Sequence, residues 1–258
     1  MKLNLPRAAL LLLLFLAFHN FADAQKRRPV PTNRNAAPAA KRVAETPGAA
    51  VVLDETLSVL RSKPSLYAEP IQRLRRGRRV QIVGSAESDG VKFFRIAAPA
   101  SKPGWVQADA VFTRSRPADE ARLAALVQAS NGFERIELAA EFLGLYPESP
   151  LRPTILLLFG DIIEETALKL SRDAINRLDR REMAASAAPM HSYFLNFVGL
   201  DRYRKLGIRF LFNPATRRFH YDGSSWGEIV KKHPAAAEAA EARSRLEALE
   251  EKLKAKGQ

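Results

Sequence analysis

The hydrophobic pattern changes character along the chain. Ala8 to Phe18 is an apolar run of eleven residues, Gln25 to about Ala50 has no apolar period, Val51 to Phe112 alternates, and from Pro117 onward apolar residues recur at helical spacing. In the alternating stretch Leu57, Val59 and Arg61 form one row, and Val80, Ile82 and Gly84 form another. Asp89-Gly90 is a hairpin-turn dipeptide, and it stands before the aromatic and β-branched run Val91 to Ile96. Gly104-Trp105-Val106 supplies one more short strand. Short strands with frequent turns predict a small β-barrel whose core includes Val59, Leu74, Val80, Phe94, Ile96 and Val106.

The later pattern predicts helices. Leu123, Leu126 and Val127 share one face of a helix that Pro117 opens. Phe133, Ile136, Ala140 and Leu143 mark a second, with Asn131 as its cap and Tyr146-Pro147 as its stop. Thr154 to Leu170 is apolar nearly all round at its start, the pattern of a central buried helix. Ala174 to Met183 reads as a separate helix, Ala184 to Pro189 as a loop, and Tyr193, Phe194, Phe197 and Leu200 as a further apolar face. Ile208, Phe210 and Phe212 oppose Phe219 and Tyr221 across Asn213-Pro214-Ala215-Thr216, which predicts a β-hairpin. Ser225 and Glu228 have capping-box spacing for a helix from Trp226 to His233, and a last helix runs from Ala235 to about Lys254. Asp161, Glu164 and Glu165 are read as the polar side of the central helix.

The first residues have the three parts of a secretory signal: Lys2 and Arg7, the apolar run, and small residues at Ala22 and Ala24. The run is too short to span a bilayer, which takes about twenty residues. The expected cut follows Ala24, and the expected location is periplasmic or extracellular. No cysteine lies near the cut or anywhere else, so disulfides, thiol nucleophiles and thiolate metal sites are excluded.

Several passages carry a family resemblance. Leu57-Ser58-Val59-Leu60-Arg61, the Lys63-Pro64-Ser65 loop, the Ile71, Leu74 and Gly77 spacing, Phe93-Phe94-Arg95-Ile96, Gly104-Trp105-Val106 and Ala110-Val111 occur in the order found in bacterial SH3 domains. The segment resembles that cell-wall-associated family, with Lys63 in place of its usual glycine. The resemblance implies an SH3-like barrel that binds a wall peptide, glycan or protein partner. Farther on, Tyr146-Pro147-Glu148-Ser149 and His233-Pro234-Ala235 resemble the joints of tetratricopeptide-like helix pairs, without a clean repeat period. The expected organisation is a signal peptide (1–24), a basic disordered linker (25–50), an SH3-like barrel (51–116) and a mainly helical, tetratricopeptide-like domain with a hairpin (117–258).

Charge is uneven. Residues 51–116 hold twelve Lys and Arg against six Asp and Glu, whereas residues 117–258 hold twenty-one against twenty. A basic surface outside a cell meets cell-wall polymers and lipid head groups, so nucleic acid is not an expected physiological partner. Arg73, Arg75, Arg76, Arg78 and Arg79 surround Gly77 and are expected to fan into solvent as an anion-binding turn. Tyr67, Phe93 and Trp105 are the candidate aromatic half of that surface. His191, His220 and His233 lack zinc-site spacing, and no Gly-rich phosphate loop or G-x-S-x-G occurs. His220 and Asp222 would share a strand face, ordinarily as a surface contact. The expectation is a non-enzymatic envelope binding or scaffold protein without cofactors, its partner a cell-wall polymer or an envelope protein. A wall-remodelling enzyme with an unrecognised helical catalytic domain and a purely structural helical scaffold are the alternatives.

Overall fold

The computed structural model describes residues 48–98 and 102–254, all within one compact unit, residues 42–258. The expected signal peptide and almost all of the expected linker lie outside the described residues. Seven strands form the first half: β1 (Ala49–Val52), β2 (Val59–Arg61), β3 (Pro70–Arg73), β4 (Arg79–Ser88), β5 (Val91–Ala97), β6 (Gly104–Gln107) and β7 (Val111–Phe112). They make one antiparallel sheet in the order β3-β2-β6-β5-β4-β1-β7. The β4–β5 hairpin closes at Ser88↔Val91, and Asp89 and Gly90 both have positive φ, 54° and 70°, as a two-residue turn between twisted strands requires.

The expected strands are present, but the sheet is not closed. The edge strands β3 and β7 do not pair with each other, and every residue of β3 is exposed. The sheet buries apolar surface in two directions instead. Val52, Leu60, Leu74, Val80, Phe94, Ile96 and Val106 pack together on one side. Val51, Leu53 and Phe112 belong to the same buried cluster as the helical residues. With an apolar partner available at the β1–β7 edge, the sheet has no need to close on itself.

The second half contains α1 (Ala118–Ala129), α2 (Gly132–Leu145), α3 (Arg152–Arg177), α4 (Arg180–Ser186), α5 (Met190–Leu195), α6 (Asp201–Arg204), the hairpin β8 (Phe210–Asn213) and β9 (Arg218–Tyr221), α7 (Ser224–Lys232) and α8 (Ala239–Lys254). The expected hairpin is there, with Phe210↔Tyr221 and Phe212↔Phe219 in register. The central helix is also there: α3 buries Ile155, Leu156, Phe159, Ile163, Ala167, Leu170 and Ala174 and packs on α2, β9 and α7.

Four local expectations are corrected. At β2 the inward residues are Leu60 and, just before the strand, Ser58, and Val59 is only half-buried. The Ser58 hydroxyl finds carbonyl acceptors at Leu74, 2.7 Å, and Glu55, 2.9 Å, so a polar residue takes the core phase. The helix expected from Ala174 to Met183 is the end of α3 followed by a separate α4. Ser171 does not break α3, because its hydroxyl donates to the Ala167 carbonyl, 2.7 Å, and accepts the Phe219 amide, 2.7 Å. The Ser225–Glu228 capping box does not form: Gly223, at φ 75°, caps α7, and Glu228 pairs with Arg152. The last helix begins at Ala239 instead of Ala235.

Candidate functional site

The arginine turn links β3 to β4: Arg73, Arg75 and Arg79 are exposed as expected, whereas Arg76 is drawn inward and does not fan into solvent. Arg76 donates from Nε to the Leu53 carbonyl, 3.0 Å, and its guanidinium pairs with Glu134 and, at 3.2 Å, with Glu137. Arg79 pairs with Glu141 at 3.0 Å. Burial raises the Glu141 carboxyl above its usual range, against the lowering pull of Arg79. Glu134, Glu137 and Glu141 follow at helical spacing along α2, so the turn and the helix form a cation–anion seam. Arg73 turns back to the carbonyls of Glu55 and Thr56, 2.5 and 3.0 Å. Arg78 is half-buried, and Arg75 is exposed. Arg76 and Arg79 therefore join sheet to helices, while Arg73, Arg75 and Arg79 still present an exposed basic edge.

The same joint is fixed behind β7 by Asp119, which is fully buried. Its carboxylate accepts the Thr113 amide, 2.9 Å, and pairs with Arg116, 2.6 Å, and Arg122, 3.0 Å. The Arg122 guanidinium sits 4.2 Å from the centre of the Phe112 ring, a cation–π contact. The Tyr146 hydroxyl reaches the Thr113 carbonyl at 3.4 Å, and burial, reinforced by Asp119 and Glu120, pushes its pKa up to about 12.

The aromatic candidates divide. Phe93 is fully buried and is not available to a ligand, which corrects its assignment to the surface. Tyr67 is 90 % exposed. Its loop is nevertheless tied down. Arg61 donates to the Ala68 carbonyl, 2.8 Å, while Asp89 at the hairpin tip accepts from the Ser65 hydroxyl, 2.7 Å, and the Leu66 amide, 2.8 Å. Those hydrogen bonds, from Ser65 first and then Leu66, hold the Asp89 carboxyl below its ordinary value. Trp105 is half-buried and lies directly across from Arg61 on β2 and Arg95 on β5, so one row of the sheet reads Arg61, Trp105, Arg95. Sequence reasoning missed the two arginines. The alternation of Phe94, Arg95 and Ile96 carries the signal for Arg95.

In the helical half, Glu164 is buried at the centre of an ionic cluster. Its carboxylate accepts from His220 Nδ1, 3.0 Å, from Lys252 Nζ, 2.8 Å, and from the Tyr221 amide, 2.8 Å. Burial alone would raise its pKa, but the bonds from His220, Lys252 and Tyr221 outweigh that and hold it at about 2. The expectation that Glu164 lies on a solvated face is thus corrected, as is the His220–Asp222 pairing, since Asp222 pairs with Arg209 at 3.2 Å. Asp161 and Glu165 do lie outward, paired with Arg245 and Lys169. The cluster joins α3, β9 and α8. Among the described residues no group of three His, Cys, Asp or Glu has the arrangement of a metal site.

Two cavities open among the helices. One, of about 260 Å³, is bordered by Arg152, Glu228, Tyr221, Ser224 and Ser225, with Arg152 and Glu228 already paired at 2.9 Å. The other, of about 330 Å³, lies where the end of α3 meets α4 and α5. Comparison with protein-family models, with curated proteins and with solved structures finds no match to this chain, so the arrangement of its own residues carries the functional argument.

Proposed function

We propose that this is an exported, non-enzymatic binding protein of the cell envelope, in which an SH3-like sheet, opened onto a helical scaffold, takes a carboxylate-bearing wall peptide. The observation that carries this reading is Tyr67, 90 % exposed on a loop that Arg61 and Asp89 hold in place. A large aromatic ring costs free energy in water, and a fixed loop loses little entropy when it binds. Beside it, Arg61 and Arg95 flank Trp105 and supply the guanidinium groups that a peptide carboxylate pairs with. Export is supported by the order of charged, apolar and small residues in 1–24, where N-terminal sequencing of the exported chain should begin at Gln25. No helix among the described residues is long and apolar enough to cross a membrane.

The test is titration of the protein with soluble wall peptides and with the sugar backbone alone. Tyr67→Ala and Arg95→Gln should each weaken peptide binding by about 1 kcal/mol or more, roughly fivefold, with a steep dependence on salt. Binding by Tyr67→Ala equal to the parent would end this reading. The burial of Phe93 and the engagement of Arg76 and Arg79 favour the purely structural scaffold, which that result would leave standing.

A further inference from the structure

The larger cavity has an apolar wall and no carboxylate side chain on it. Ile175 and Leu178 at the end of α3, Met183 on α4, and Met190 and Phe194 on α5 supply the apolar surface, and Arg180 and Arg217 stand with them. Its volume of about 330 Å³ is that of a small-ligand pocket. Ile175 and Met190 are left 37 % and 44 % exposed. Helix α4 buries none of its residues, so it forms a wall with no core of its own. An element with so little packing opens at low cost, and an apolar occupant would supply the contacts it lacks. Arg217 reaches the cavity from the tip of the β8–β9 hairpin, where it holds φ 54°, unusual for a residue with a side chain. Among the described residues neither Arg180 nor Arg217 is engaged in a hydrogen bond or ion pair through its guanidinium.

We propose that this cavity binds a single alkyl chain ending in a carboxylate, a medium-chain fatty acid. A peptide fits the lining poorly: apart from the two arginines the side chains offer no hydrogen-bonding partner, so buried backbone amides would go unpaired. An alkyl chain has no such groups. Met183 and Met190 are unbranched and adapt to chains of different shape. Two unpaired guanidiniums beside an apolar wall complement an anionic head, and each can grip a carboxylate through two parallel N–H···O bonds.

Calorimetric titration of the full chain with dodecanoate, below its micelle concentration, tests the assignment. Saturable binding of one dodecanoate is expected, weakening roughly fourfold for each methylene removed from the chain. Arg180→Gln combined with Arg217→Gln should weaken dodecanoate at least tenfold and leave dodecan-1-ol unchanged. Ala188→Trp, at an exposed position on the wall, should block both ligands without lowering the melting temperature, and Ile175→Trp on α3 provides a second block. Absence of saturable binding would overturn the proposal. So would binding that both tryptophan variants leave at parental strength, which would place the ligand elsewhere. Dodecanoate binding that is insensitive to loss of the two arginines would remove the anionic head from the assignment and overturn it. A lysophospholipid with the same chain that bound more tightly than dodecanoate, and lost that advantage in the double arginine variant, would replace the free fatty acid by a phosphate-headed lipid.

Discussion

Arg76 at the edge of the sheet and Glu164 among the helices both join segments far apart in sequence, but they do so in different surroundings. Arg76 meets Glu134 and Glu137, whose side chains are 50 % and 32 % exposed. Water competes for these two carboxylates, and salt screens them. Glu164 meets His220 and Lys252 with its own side chain only 11 % exposed. There the carboxylate has given up its hydration and depends on its three donors. The Arg76 seam is one of several attachments of the sheet, beside the buried Asp119 and the packing of Val51, Leu53 and Phe112, so the loss of one of its ion pairs is tolerated. The helical half depends on one cluster in which each member is needed.

Glu164→Ala should produce the largest effect, about 3–5 kcal/mol of lost stability in urea unfolding, because it strands His220 and Lys252 and leaves a cavity. A loss below about 1 kcal/mol would mean that the cluster is as dispensable as the seam. Gly160→Ala comes next. A Cβ at Gly160 would lie 2.3 Å from Trp226 Nε1 and 2.6 Å from Ser225 Oγ, so α3 and α7 would have to separate. About 1–3 kcal/mol is expected, read as a fall in melting temperature. If stability is unchanged, the two helices are not locked at this contact.

Acid titration sharpens the contrast further. The folded-state pKa of Glu164 is depressed from 4.5 to about 2, so its stabilisation is complete above 4.5 and lost as pH falls through 2. On the order of 2 kcal/mol should disappear across that window, once solvent access around Lys252 is allowed for. Glu164→Gln should flatten the slope, and an unchanged slope would assign it to other carboxylates. The smallest effects belong to the arginine turn. Arg76→Gln should cost about 1 kcal/mol, and Arg75→Gln, at an exposed position, less than about 0.5 kcal/mol. Equal costs for the two would remove the distinction between a seam residue and a solvated one.

Much of the fold can be read in the chain because its signals are local. Asp89-Gly90 can make only a few kinds of turn, and the Phe210/Tyr221 hairpin alternates cleanly on both arms. What stayed hidden depends on partners distant in sequence. Closure of the sheet could not be judged because it turned on whether Val51, Leu53 and Phe112 would find α1–α3 to pack against. The fate of Arg76 turned on Glu134 and Glu137, which are 58 and 61 residues away. Composition identified the basic turn correctly as charged, but it could not show that an acidic helix face lay against it. The burial of Glu164 is hidden for a similar reason: nothing near it in sequence announces His220 or Lys252. Of the candidate site, Tyr67 is exposed as anticipated, whereas the arginines beside Trp105 emerge only from the register of β2, β5 and β6.

The long reach of the Glu164 cluster also has a kinetic side. Its bonds close loops of 56 residues to His220 and 88 residues to Lys252, and each closure costs entropy before it returns any energy. Contacts of that separation form late, after the α1–α2 pair and the β4–β5 hairpin, whose strands and helices are neighbours in the chain. Lys252→Met should therefore accelerate unfolding while leaving the refolding rate nearly unchanged, a φ-value close to zero. Reinforcing Lys252 should then lengthen the time the native state survives at a given temperature, because a contact absent from the transition state acts on the unfolding rate.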